Sequence, residues 1–179
     1  MTLRRALDLI YEGSGYLAGF CVFSLFAVMI GQTAMRELGL RTGGADDIVA
    51  WLCAASAFLA MASTFKHGDF VRVGLLLEKL PPKPRHAFEI GSLSIAAAFV
   101  GYLAFWVCRF VYESWKFHDM ANGLIPIPIW IPQMSFVVGA IILFVAVLDE
   151  LLIVLAGRTP TYVVAVEERH ARGDFSEDV

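Results

Sequence analysis

Four stretches without a single charged residue dominate this chain: Gly13 to Met35, Ile48 to Phe65, Ile90 to Cys108, and a span inside Met120 to Leu148. Each is long enough for a helix to cross a hydrocarbon core, which takes about 20 residues. They lack the period-2 alternation and the length of barrel strands, so helices are the only spanning form open to them. With 58% hydrophobic and 17% charged residues and a mean hydropathy of +0.67, the chain is too apolar for an ordinary soluble domain. These features predict an all-α membrane protein of four transmembrane helices, at about 13–35, 48–65, 90–108 and 129–150. They form one domain over 1–157, followed by a polar tail over 158–179.

Basic residues orient the spans. Ten of the fourteen Lys and Arg residues lie in the N-terminal stretch, the loop after span 2 and the region after span 4. The other four are Arg36, Arg41, Arg109 and Lys116. The positive-inside rule then places both termini and the central loop in the cytoplasm. Arg4 and Arg5 precede an apolar run as in a signal peptide, but Asp8 and Glu12 interrupt the approach and no A-x-A site follows; an uncleaved first span is expected. Leu3, Ala6, Leu7 and Ile10 recur at helical spacing ahead of it, which fits either a short surface helix or an extended start to the span.

The central loop carries an amphipathic pattern. On a helical wheel from Asp69, the side chains of Phe70, Val73, Leu76, Leu77 and Leu80 share an arc of roughly 120°, with Arg72 and Lys79 together outside it. Asp69 can cap its start and Pro81-Pro82 end it. An interfacial helix over 69–80, about 17 Å long, is expected to lie at the inner membrane surface. Arg72 and Lys79 are its candidates for holding lipid phosphates or a partner's carbonyls, with Phe70, Val73 and Leu77 dipping into the apolar layer. At the outer side, Phe110, Tyr112, Trp115 and Phe117 suit headgroup depth, and Pro126, Pro128 and Pro132 around Trp130 place the start of span 4 near Ile129 to Pro132.

Chemistry is sparse. The first three spans contain no ionisable residue, although transporters and pumps carry them in mid-membrane, where each costs roughly 2.5 to 3.5 kcal/mol on insertion scales. Asp149 and Glu150, at the cytoplasmic end of span 4, are the candidates for an ion or proton site, against the alternative that they face water or a partner. The four histidines lie in loops or the tail, so the paired imidazoles that ligate a haem are missing. Cys21, Cys53 and Cys108 are isolated, and no nucleophile elbow, H-E-x-x-H or P-loop is present. No enzyme activity, cofactor, metal or nucleic-acid partner is expected. Small-residue spacings, Gly15-x-x-x-Gly19, Ala54 to Ala62 and Ala97-x-x-x-Gly101, point to close helix packing. Arg36 and Asp46 or Asp47 flank one outer loop and can pair across it, or meet a soluble partner.

Several segments resemble the small membrane subunit of tripartite ATP-independent periplasmic (TRAP) transporters, the DctQ-like family. Span 1 ends in Gln32-Thr33-Ala34-Met35-Arg36, and Asp46-Asp47 opens span 2. Gly68 to Leu76 (G-D-F-V-R-V-G-L-L) resembles the family's G-x-H-V-R-V-D-L-L, with Phe70 and Gly74 departing from it, and Leu80-Pro81 and Arg85 follow in the family's order. Ile127-Pro128-Ile129-Trp130-Ile131-Pro132-Gln133 is similar to the family's approach to span 4. The resemblance covers about residues 5 to 155. It implies a multi-pass protein of a bacterial inner membrane that braces a large transport subunit, a stable partner. That subunit carries the sodium and substrate sites for an organic acid, brought by a periplasmic binding protein, a transient partner. Arg36, Asp46, Asp47, Trp130 and Gln133 become candidates for contact on the periplasmic side, and phospholipid a partner of the interfacial helix. The competing class is an independent tetraspan adaptor or a small exporter, and an exporter of this size is expected to carry a mid-span Glu or Asp.

Overall fold

The computed structural model describes residues 2–40, 43–68, 82–158, 160–164 and 171. Four long helices account for most of them: α1 (Thr2–Glu37), α2 (Ala45–His67), α3 (Pro82–Lys116) and α4 (Trp130–Leu155). Each is long and apolar enough to cross a membrane. Among the described residues there is no strand, only an isolated bridge between Met120 and Pro128. The expected interfacial helix, with Phe70, Arg72, Val73, Leu77 and Lys79, lies outside the described residues, as does most of the stretch after Val164.

The helices outrun the charge-free runs. At 36 residues, α1 is about 54 Å long against a hydrocarbon core of about 30 Å. It runs unbroken from Thr2, so the amphipathic start is an extension of the first helix rather than a separate surface element. Local chemistry sets the ends. Gly68 closes α2 in the left-handed region (φ 81°), where its N–H reaches the carbonyls of Phe65 and Thr64. Asp46 and Asp47 in the first turn of α2, and Lys66 and His67 in its last, complement the helix dipole. Pro132 sits in the first turn of α4, where a missing N–H breaks no helical bond.

Packing arranges the helices as a layer in the order α1, α2, α4, α3. The substantial contacts are α1 with α2, α2 with α4, and α4 with α3, while α1 touches α4 only slightly. Consequently α4 is the most enclosed and α1 the least. Small residues permit the close approaches: Ala62, Ala140 and Ala146 are buried, and Gly139 brings α4 against the backbone of α2 at Phe58. The ring of Phe58 stacks on Phe136 beside it, with centroids 5.0 Å apart. Gly15 faces Ser63 and Gly101 faces Phe144, so one glycine of each small-residue pair on α1 and α3 is used in packing. Gly19 meets no side chain. All four helices meet at one end, where Tyr11, Ala62, Ala97, Leu143, Ala146 and Val147 form one buried cluster.

Candidate functional site

At that same end, polar chemistry is concentrated in a clasp. Leu59 and Ala62 mark the buried face of α2, and Lys66 follows them at i+7 and i+4. On α4, Leu143, Ala146, Val147, Ile153 and Val154 form a buried stripe into which Glu150 falls in register. The Lys66 ammonium donates to Asp149 Oδ2 at 2.5 Å, to Glu150 Oε1 at 2.8 Å and to Thr161 Oγ1 at 3.4 Å. All three of its protons therefore have an acceptor. Thr161 N–H donates to the second Glu150 oxygen at 3.0 Å, and the Lys66 nitrogen stands 5.1 Å from the centre of the Tyr11 ring.

Burial gives the clasp its weight. The Glu150 side chain is fully buried, that of Lys66 is 11% exposed and that of Asp149 24%. An isolated carboxylate in that setting would be very costly, and the ammonium offsets that cost. The clasp also ties down the chain beyond α4. Thr161 binds both Lys66 and Glu150, and the buried ring of Tyr162 packs on Phe65 at 6.3 Å. One charged group on α2 thus joins α1, α4 and the segment 160–164.

Of the two acids at the end of span 4, Glu150 is fully buried against Lys66, whereas Asp149 pairs with the same ammonium and stays 24% exposed. Sequence reading counted Lys66 only as an orienting charge. The available signal was Glu150 itself, an acid on the buried stripe of α4, which demands a cation on a neighbouring helix.

The opposite end carries a polar cap. Gln32 Nε2 donates to Asp46 Oδ1 at 2.9 Å, linking α1 to the start of α2. Asp47 Oδ2 accepts from the Leu124 N–H at 3.0 Å, which pulls the α3–α4 connection over α2. Gly123 allows this, since a Cβ there would run into the Asp47 carboxylate. The connection is braced internally by Ala121 N–H to Ile127 O at 2.9 Å and Ile129 N–H to Asp119 O at 3.0 Å. The pairing of Arg36 with Asp46 or Asp47 is not formed: both carboxylates have other donors, and the exposed Arg36 makes no ion pair among the described residues. Trp130 opens α4, and Gln133 follows on its buried side, 6% exposed. The structure therefore gathers Asp46 and Asp47 into one cap, and separates them from Asp149 and Glu150 by the length of α2 and α4.

Among the described residues no three His, Cys, Asp or Glu side chains come together as metal ligands. What the arrangement does is lock helices: one ammonium ties α2 to α4 at one end, and two aspartates tie α1 and the α3–α4 connection to α2 at the other. No curated protein matches the chain. Residues 25–157, which include α2, α3, α4 and the Lys66–Asp149–Glu150 triad, match the DctQ component of the tripartite ATP-independent periplasmic transporters, and the chain belongs to that family.

Proposed function

We propose that this chain is the scaffold of its transporter: it braces the large membrane subunit and carries neither substrate nor coupling ion. Membership in the family implies association with a large membrane subunit and a binding protein, and it is membership in a transporter component, not in an enzyme family. The observation that carries the scaffold reading is the consumption of charge. The fully buried Glu150 and the partly exposed Asp149 both pair with Lys66 inside the chain. The two outermost helices expose large apolar side chains, including Tyr16, Phe20 and Phe23 on α1 and Phe99 and Tyr102 on α3. Such faces suit lipid and partner helices, not a water-filled path.

In this reading the large subunit moves an organic acid with sodium across a bacterial inner membrane, and a periplasmic binding protein delivers it. The Lys66 end lies in the cytoplasm, in keeping with the ten basic residues gathered there. The Asp47 end, with Arg36, Asp46, Trp130 and Gln133, faces the binding protein. On its amphipathic sequence pattern alone we assign the segment 69–80, which lies outside the described residues, to the inner surface, where Arg72 and Lys79 would add about 1 kcal/mol each of attraction to anionic headgroups or to partner carbonyls, less at high salt.

Affinity purification from the native membrane tests this. A much larger polytopic subunit is expected to co-purify in fixed ratio, and Arg72→Ala/Lys79→Ala is expected to weaken its retention by up to about thirtyfold at low salt. Recovery of the chain alone, as an independent adaptor or exporter would give, contradicts the reading. A photocrosslinker at Arg36 checks the outer contact: the binding protein is captured during transport, and its absence from the crosslinked products removes that role.

A further inference from the structure

A groove of about 300 Å³ opens between α3 and α4 near the Asp47 end. Cys108, Val111, Tyr112 and Trp115 line it from α3, and Trp130, Met134 and Val137 from α4. We propose that it holds one acyl chain of a phospholipid whose phosphate rests on Lys116.

Three features select this occupant. The lining is apolar throughout and runs about 10 Å along α3 from Cys108 to Trp115. It therefore offers a slot parallel to the helices, the direction in which acyl chains lie. The lining also contains no glycine or alanine. Close docking of a partner helix favours small residues at the contact, whereas a thin flexible chain fits between bulky side chains and an adaptable methionine. Finally, charge sits where a headgroup would be. At about 100° per residue, Lys116 follows the lining residue Tyr112 by one turn, at the end of α3. Its ammonium lies 5.8 Å from the centre of the Phe117 ring and enters no ion pair among the described residues. The neighbouring Arg109 is already committed, to Glu113 at 2.9 Å and to the Trp106 ring. Aromatic rings of headgroup type, a cation with no ion-pair partner among the described residues one turn beyond them, and an apolar slot on the other side follow the order of groups in a phospholipid.

The assembled complex, reconstituted in phosphatidylcholine nanodiscs, is irradiated with a phosphatidylethanolamine bearing a diazirine on its acyl chain. A diacylglycerol with the same chain serves as the probe without phosphate. Peptides over 108–115 and 130–137 are expected to carry most of the label. Met134→Trp, which fills the groove from an exposed position, lowers that labelling about tenfold while labelling of α1 is unchanged. Lys116→Ala lowers phosphatidylethanolamine labelling about fivefold and leaves diacylglycerol labelling unaltered. If Met134→Trp impairs assembly, Val137→Phe provides the same filling. Label spread evenly over α1 and α3, indifference to both filling variants, equal loss of both probes in Lys116→Ala, or groove peptides found crosslinked to the large subunit would each overturn the proposal.

Discussion

Replacing Lys66 with methionine is expected to destabilise the protein by about 3 kcal/mol, the lower end of the range for stripping one partner from a buried ion pair. Glu150 is fully buried and keeps only the Thr161 N–H as a donor, while Asp149, at 24% exposure, can turn toward water. That partial exposure is why the upper end of the range is not reached. Two measurements read the loss. Thermal unfolding in detergent shifts down, and amide exchange rises at Val163 and Val164, whose N–H groups bond back to Pro160 O in the segment that the clasp retains. Adding Asp149→Asn and Glu150→Gln to Lys66→Met is expected to restore most of the stability. The neutral amide at 150 still accepts from Thr161, and no buried charge remains. Unchanged melting in Lys66→Met would mean that the clasp contributes nothing to the fold.

Gly139→Val is expected to cost about 3 kcal/mol or more, the upper range for overpacking, because the obstacle is backbone. A Cβ at Gly139 would lie 2.5 Å from Phe58 O and 2.6 Å from Phe58 C, so α2 has to move away from α4 as a unit. The Phe58–Phe136 stack at that crossing separates with it. Gly91→Ala is the matched control: nothing lies within 4 Å of its Cβ position, and removing a glycine from a helix is neutral or favourable by up to about 1 kcal/mol. Side-by-side melting curves of the two variants separate crossing geometry from helix propensity. Equal stability of Gly139→Val and Gly91→Ala would show that the α2–α4 crossing is not tight.

The four spans were legible because charge-free runs of that length have one outcome in a membrane. The order of the helices across the layer was not. A helix facing lipid on one side and protein on the other is apolar all round, and the periodicity that reveals a soluble core is lost. Small residues gave partial guidance: Gly15 and Gly101 were visible as members of four-residue spacings, whereas Gly139, at the tightest crossing, has only Ser135 four residues before it, a pair that the strongly apolar run of α4 hides. Asp149 and Glu150 stood out, but their partner lies 83 and 84 residues away, and Lys66 read as one of several basic loop residues. The outer loop misled for a related reason. Opposite charges at Arg36 and Asp46–Asp47 suggested an ion pair, yet the carboxylates are taken by the Gln32 amide and the Leu124 N–H. Backbone donors are invisible in a sequence, and a neutral side chain competes well where an exposed ion pair is worth so little.

The scaffold account rests on Asp149 and Glu150 holding helices together instead of carrying an ion. The most direct test is the number of coupling ions moved per substrate by the reconstituted transporter containing the Lys66→Met/Asp149→Asn/Glu150→Gln chain. The account expects an intact complex with the wild-type ratio. An intact complex with an altered ratio would contradict it.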